Sequence, residues 1–349
     1  MASIRWAWGY VALLVLSVSA PAQFRGGIQG TILDPTGAAV PGAKVTLQDE
    51  ETGASQESIS GPEGFYRFSG LRPGRYTITV EMAGFQKAVH EHVIVRAEQL
   101  EGLNITLSPG QVTESITVSA EAAPPLQTEN ANIDAALTAR QVTRLPQFQR
   151  DPYELLRLAP GVFGTGARDG GGNSVALPNS AGPGGSNNSI FQTENQVPIS
   201  ANGQRLTANG FQIDGVNVNS QAWGGAAIIT PTQEAVKEIR VVSSSYSAEN
   251  GRNTGALIQV VSQNGTNEFH GSFVGRFGRP ELNAFQRWGG PHGETPQRVG
   301  KTFNQWAGSA GGPVVKNRLF FFFAYERIGF DNRTNEPQWV ETPEFVDRV

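Results

Sequence analysis

Glu114-Ser115-Ile116-Thr117-Val118-Ser119-Ala120 is the stretch on which the reading of this chain turns. Ile116 and Val118 alternate with Ser115, Thr117 and Ser119, and β-branched residues favour an extended backbone. Pro109-Gly110 precedes the stretch and Ala122-Ala123-Pro124-Pro125 follows it. Breakers on both sides set it apart from neighbouring sheets, so a short, unpaired, extended segment is expected. Such a segment is what a second protein needs for β-strand addition, in which main-chain hydrogen bonds supply the affinity.

On its N-terminal side the chain reads as strands and tight turns. Ile28-Gln29-Gly30-Thr31-Ile32-Leu33 is a strand stopped by Asp34-Pro35-Thr36-Gly37. Val40-Pro41-Gly42-Ala43 turns into Lys44-Val45-Thr46-Leu47-Gln48, with Val45 and Leu47 on one face. Gly61-Pro62-Glu63-Gly64 turns into Phe65-Tyr66-Arg67-Phe68, and Leu71-Arg72-Pro73-Gly74 into Arg75-Tyr76-Thr77-Ile78-Thr79-Val80. A further strand opens at Gly84-Phe85 and ends near Val93-Ile94-Val95. Leu103-Asn104-Ile105-Thr106-Leu107 closes the set. About seven short strands at regular spacing predict a β-sandwich of roughly 80 residues.

These turns resemble the carboxypeptidase regulatory-like domain. Val40-Pro41-Gly42-Ala43-Lys44-Val45, Glu63-Gly64-Phe65-Tyr66, Leu71-Arg72-Pro73-Gly74-Arg75-Tyr76 and Gly84-Phe85 carry the likeness. It implies a transthyretin-like sandwich, grouped with carbohydrate-binding-like folds, and no peptidase activity. His90-Glu91-His92 invites a metal reading, since in a regular strand His90 and His92 share a face. Two histidines do not make a defined site without a third ligand, so a solvated edge strand is expected there.

Composition narrows the function. The 349 residues suffice for two or three domains. Gly 42 and Pro 21 suit many short strands and turns. Lys+Arg 27 against Asp+Glu 31 gives a net charge of -4, with no basic surplus to neutralise nucleic-acid phosphates. Cys 0 removes disulfides, thiolate zinc sites and cysteine nucleophiles together. At the N-terminus, Arg5 is followed by an apolar run, residues 6–18, too short to span a bilayer comfortably. Ala20-Pro21-Ala22 then places small residues at Ala20 and Ala22, where a signal peptidase reads them. A secretory signal cut after Ala22 is expected.

Beyond the central stretch, residues 136–145 show a mild helical pattern ended by Pro146. Asp151 is expected to cap a second helix, with Pro152 at its first position, Glu154 at the capping-box position and Leu155, Leu156 and Leu158 on its apolar face. Residues 164–189 are rich in glycine, serine and asparagine. They lack the strand, helix and Lys-Ser/Thr pair of a phosphate loop, so a mobile loop is expected. Phe211-Gln212-Ile213-Asp214-Gly215-Val216-Asn217-Val218 carries a hairpin signal at Asp214-Gly215. Thr230 is expected to cap a short helix, with Pro231 and Gln233 in its first turn. Two strands are expected at Val236-Lys237-Glu238-Ile239-Arg240-Val241-Val242 and Ala256-Leu257-Ile258-Gln259-Val260-Val261.

Several blocks in this region resemble the plug domain of TonB-dependent outer-membrane transporters. They are Asn202-Gly203-Gln204-Arg205, Ile213-Asp214-Gly215-Val216 and Val236-Lys237-Glu238-Ile239-Arg240-Val241, so Arg205, Asp214 and Gly215 mark the plug motif. Tyr246-Ser247-Ala248-Glu249-Asn250-Gly251-Arg252 and Ser262-Gln263-Asn264-Gly265-Thr266-Asn267-Glu268-Phe269-His270-Gly271 are similar to the Oar-like branch. Asn250 departs from an expected aromatic residue and Gln263 from an expected lysine. The resemblance implies that Glu114, Ser115, Ile116, Thr117 and Val118 form a TonB box. A periplasmic TonB-like energy-coupling protein would pair with it, pull, and open a path for a bulky substrate such as a siderophore, glycan or peptide.

The last part of the chain points to membrane lipid on its own. Phe269, Gly271, Phe273, Gly275 and Phe277 share one face of a strand, and His270, Ser272, Val274 and Arg276 the other. Residues 303–311 alternate less cleanly. Leu319-Phe320-Phe321-Phe322-Phe323-Ala324-Tyr325-Glu326-Arg327 is aromatic like the girdle of an outer-membrane barrel. The long connection at residues 278–301 and the short one at 312–318 fit the outer and periplasmic sides of such a barrel. The smallest such barrels need about eight strands, and this region holds about three, so an N-terminal fragment or truncated gene product is expected.

The expected fold is mainly β: a signal peptide at 1–22, a transthyretin-like sandwich at 23–108, a linker with the box at 109–130, an α+β plug at 131–264, and the first strands of an incomplete outer-membrane barrel at 265–349. The expected place is the outer membrane, with the N-terminal domain periplasmic. The rival reading is a secreted or surface carbohydrate-binding or adhesive β-protein. No cofactor, metal site or catalytic residue is expected, because there is no Gly-x-Ser-x-Gly elbow, no His-Glu-x-x-His and no cysteine.

Overall fold

The computed structural model describes residues 26–110, 115–119, 133–145, 150–164, 195–197, 199–221, 224–244, 250–251, 253–282 and 301–332. The signal segment with Ala20 and Ala22, Glu114, residues 165–189, Tyr246, Arg252 and residues 283–300 lie outside them. The chain divides into two compact units. One comprises Met1–His270 with Gly311–Phe322, the other Gly271–Ala310 with Phe323–Val349.

The first domain is built from nine strands: β1 (Gly26–Leu33), β2 (Lys44–Asp49), β3 (Ser55–Ile59), β4 (Phe65–Leu71), β5 (Gly74–Glu81), β6 (Lys87–Val95), β7 (Leu100–Gly102), β8 (Ile105–Thr106) and β9 (Ser115–Ser119). One sheet centres on β1, with β4 antiparallel on one side and β7 and β8 parallel on the other. The second sheet runs β3-β2-β5-β6-β9. Period-two alternation drives this fold. In β2, Val45 and Leu47 are buried while Lys44 and Gln48 face solvent, as expected from the sequence. Ile28, Ile32, Val45, Leu47, Tyr66, Phe68, Ile78, Val80 and Ile105 fill one core between the sheets.

Three boundaries differ from the sequence reading. Strand β3 carries no alternation, because Ser55, Gln56, Glu57 and Ile59 are all exposed on a sheet edge. Of the strand expected over residues 103–107 only β8, Ile105–Thr106, forms, and β7 precedes it at Leu100–Gly102. Between them Leu103 donates its N–H to Gln29 O at 2.8 Å. Strand β6 bulges at His92, which takes a left-handed φ of 62°. His90 and His92 therefore do not share a regular face. Among the described residues no group of three or more acidic or histidine ligands gathers at one point.

The middle domain begins with β10 (Ile133–Thr138) and α1 (Ala139–Arg144), followed by a 3-10 helix (Pro152–Leu158) and β11 (Val162–Gly164). Then come β12 (Asn195–Gln196), β13 (Ile199–Ala201), β14 (Gly210–Ile213), β15 (Val216–Asn217), β16 (Ala226–Ala227), β17 (Val236–Ser244) and β18 (Leu257–Ser262). Five strands make its main sheet, in the order β10-β17-β18-β14-β15. The core sets Tyr153 against Phe211, ring centroids 5.1 Å apart, beneath Leu156, Ile239, Val241 and Ile258.

The helical expectations hold in part. Residues 136–138 extend β10, and only then does the chain turn, at Thr138. Thr138 and Gln141 form a capping box around the start of α1. Asp151 caps the next helix by accepting from the Tyr153 N–H at 2.8 Å, with Pro152 in the first turn. That helix is 3-10 rather than α, so its apolar face shifts: Tyr153 is buried and Leu158 is exposed. The cap of the third is Thr232 rather than Thr230, and the helix is one turn, Gln233–Ala235.

The last three strands are β19 (His270–Gly278), β20 (Lys301–Val315) and β21 (Leu319–Asn332), in that order in one sheet. The turn after β20 is tighter than expected. Strand pairing continues to Val315, and Asn317 with φ 61° reverses the chain. Among the described residues no helix is long and apolar enough to cross a membrane, which says nothing of a β-barrel.

Candidate coupling segment, domain junction and membrane face

The segment Ser115–Ser119 is extended, as its β-branched residues require, but it is not unpaired. It lies parallel to β6 as the last strand of the second sheet. Its register is Lys87↔Ser115, Ala88↔Ile116, Val89↔Thr117, His90↔Val118 and Glu91↔Ser119. This corrects the expectation from the flanking breakers. Pro109 and Gly110 do not isolate the segment; they start its return. Phe85 bridges Pro109, Gln86 donates its N–H to Ser108 O at 2.9 Å, and Gly110 donates to Gly84 O at 3.2 Å. These contacts bring residue 110 beside the start of β6, from which a parallel strand can be laid.

The last described pair, Glu91 with Ser119, sits next to a change of geometry in β6. At the left-handed His92, the backbone N–H turns to Glu50 Oε1 at 2.9 Å. The ring Nδ1 meets Glu50 Oε2 at 3.0 Å, and Thr77 Oγ1 donates to Glu50 Oε1 at 3.0 Å. Burial works to raise the Glu50 carboxyl, but the hydrogen bonds from His92 and Thr77 outweigh it and hold the group below the usual range.

A second cluster joins the sandwich to the middle domain. It was not legible in the sequence. Arg240 in β17 is 1% exposed. Its Nε donates to Asp134 Oδ2 at 2.7 Å, and its Nη1 to Ala97 O at 2.8 Å. Gln99 Nε2 donates to the same Asp134 oxygen at 2.7 Å, and Gln259 Nε2 donates to Glu98. Nearby, Lys237 Nζ reaches Glu51 Oε2 at 2.7 Å, and Ala97 packs on Val261. Burial pushes the carboxyls of Glu101 and Glu238 up, with Arg96 pulling each the other way. Only a charged residue amid the apolar alternation of β17 hinted at this. The partners come from segments 106 and 143 positions away.

Of the residues read as a plug motif, Asp214 and Gly215 form a turn and Arg205 stands apart from it. Asp214 and Gly215, at φ 48° and 83°, make the two-residue turn between β14 and β15, pairing Ile213 with Val216. Asp214 Oδ1 also accepts the Ser262 N–H at 2.9 Å. Arg205 is exposed and precedes a single 3-10 turn, Leu206–Ala208. The structure does not bring Arg205 to the coupling segment's register partners.

The last strands separate two chemistries. Phe273, Phe277 and Trp306 pack together, with centroids 5.7 Å and 4.7 Å from the Trp306 ring, and Phe273 is 74% exposed. Phe323 and Tyr325 stay exposed beside them. At the alternate positions Ser272 Oγ meets Ser309 Oγ at 2.9 Å, Arg276 donates to Gln305 at 3.3 Å, and Gln305 donates to Glu326. An aromatic row on one face and a polar network on the other is the alternation found in the strands of outer-membrane barrels.

Comparison with known proteins agrees with both ends of this description. Residues 27–108 match the carboxypeptidase regulatory-like domain. Residues 261–344 match the outer membrane beta barrel domain, which places the protein at the outer membrane and speaks against the secreted alternative. The chain is similar to the TonB-dependent transporter Oar of Myxococcus xanthus, at 27% identity over 303 residues, covering 85% of this chain and 26% of that protein. It thus spans about a quarter of that relative's length. Two solved structures also align. The siderophore receptor PirA of Acinetobacter baumannii has TM-score 0.38 and 20% identity over 56% of this chain and 24% of that one. The ferric enterobactin receptor PfeA of Pseudomonas aeruginosa has TM-score 0.38 and 17% identity over 58% and 26%.

Proposed function

We propose that this chain is the N-terminal, gating portion of a TonB-dependent outer-membrane transporter. Residues 131–264 act as the plug, residues 114–118 as the segment offered to a periplasmic TonB-like energy-coupling protein, and the sandwich as a periplasmic accessory domain. The observation that carries the reading is an order along the chain. A short edge strand, Ser115–Ser119, stands between a regulatory-like sandwich and a mixed domain that leads directly into outer-membrane strands. A coupling protein that adds a strand to this segment and pulls would act first on β10, the edge strand of the middle sheet. Force supplied from the inner membrane would then remodel the plug and admit a bulky substrate. Siderophores, glycans and peptides all fit this scheme, which needs no hydrolysis or group transfer.

The test is Ile116→Pro in the full-length protein. Proline cannot donate to a ladder and disrupts strand pairing. Energy-dependent uptake should be lost while outer-membrane assembly is retained. Unchanged uptake would overturn the assignment of the segment.

A further inference from the structure

We infer that the sandwich holds the coupling segment as its own edge strand, so that β6 and the TonB-like protein compete for one edge of residues 115–118. This rests on the proposed role of residues 114–118. The segment's backbone is paired in register with Lys87 through Glu91. The lead-in is fastened by the Phe85–Pro109 bridge and by the Gln86-to-Ser108 and Gly110-to-Gly84 hydrogen bonds. A partner strand added on the edge that β6 holds needs the main-chain donors and acceptors that β6 already engages, so the two exclude one another there. A strand has two edges, and β6 occupies one of those of β9.

The energetics favour the intramolecular partner at rest. A tether this short gives an effective concentration on the order of millimolar. A free periplasmic domain must compete against that, and its apparent affinity falls by the fraction of time the segment is released. The pairing is nevertheless limited. Among the described residues it covers five register positions, and it lies at the edge of its sheet beside the left-handed His92. A short parallel edge strand is the weakest of the sheet's pairings to break. The sandwich thereby sets a threshold. The segment stays docked until the coupling protein is present at sufficient concentration, or until another event at the β6 edge frees it.

Residues 1–349 hold no cysteine, so within them an introduced pair supplies the only thiols, and the single variants control for the rest of the protein. The experiment is V89C/T117C in the full-length protein, with each single variant as control. The probe is the isolated periplasmic domain of the organism's TonB-like protein. Mild oxidation should form the Val89→Cys to Thr117→Cys disulfide, because the two positions are register partners. The oxidised protein should bind the domain at least tenfold more weakly than the same protein after reduction. Failure of the disulfide to form, or equal binding before and after reduction, overturns the inference while leaving the coupling role intact. A synthetic peptide of residues 112–121 separates the two claims. If neither the reduced protein nor the peptide binds, the coupling reading fails and the inference falls with it.

Discussion

Arg240 donates from Nε to Asp134 Oδ2 at 2.7 Å, with the arginine side chain 1% exposed and the aspartate 10% exposed. The pair ties β17 to β10, and the same guanidinium reaches Ala97 O in the sandwich. Breaking a buried pair from one side leaves an uncompensated charge, at a cost of about 3–5 kcal/mol. Asp134→Ala and Arg240→Met should each lower stability by that order. The double variant should lose less than the sum, with a coupling of about 1–3 kcal/mol. Denaturant unfolding of the four proteins measures this. Strict additivity would show that the two groups do not support one another.

Glu50 and Glu238 predict opposite pH responses. The Glu50 carboxyl is held below its ordinary 4.5, so its contribution is present above that value and is lost as pH falls through the lowered folded pKa. Glu50→Gln should therefore remove an acid-side loss of stability. The Glu238 carboxyl is pushed above 4.5 by burial, so its favourable contribution is complete below that value and is lost as pH rises through the raised folded pKa. Glu238→Gln should remove a decline on that side and gain stability at neutral pH. Unfolding curves across pH for both variants test the signs.

Gly30 lies where a side chain has no room. A Cβ there would sit 1.8 Å from the Leu103 carbonyl oxygen, a backbone atom that cannot swing away. Gly30→Ala should destabilise the sandwich by about 1–3 kcal/mol or more through backbone displacement. Gly37→Ala offers a contrast, since nothing lies within 4 Å of its Cβ position and its cost is confined to the turn's φ of 85°. A thermal melt of each separates a steric cost from a dihedral one.

Phe273 and Ser272 are neighbours on opposite faces of β19. If the aromatic face meets lipid, Phe273→Arg should cost about 2–4 kcal/mol near the middle of the bilayer, and Ser272→Arg much less. Heat-modifiability of the full-length protein in outer membranes measures assembly of both. Equal tolerance would place the aromatic row away from lipid.

The sequence disclosed those features whose cause is local. Val45 and Leu47 alternate because one face of β2 is buried. Asp214-Gly215 makes a hairpin because both positions need positive φ, and Asp151 caps because its oxygen reaches the Tyr153 N–H. The features that escaped are set at a distance. Breakers around Ser115–Ser119 mark where a strand ends and carry no information about its partner, so the β6 pairing could not be read from them. The Asp134–Arg240 contact joins residues 106 positions apart. Strand β3 has no buried face and hence no alternation to detect. At the candidate site, the segment and its extended form were legible, and its docked state was not.

The most direct test of the coupling role is a site-specific cross-link in energised cells. The full-length protein would carry Thr117→Cys, or Glu63→Cys at an exposed sandwich turn as control. It would be paired with a TonB-like protein bearing cysteines along its strand-pairing edge. A disulfide-linked adduct through position 117 and none through position 63 is the predicted result. No adduct at 117, or equal adducts at both positions, would contradict the assignment of this segment as the point where the coupling protein takes hold.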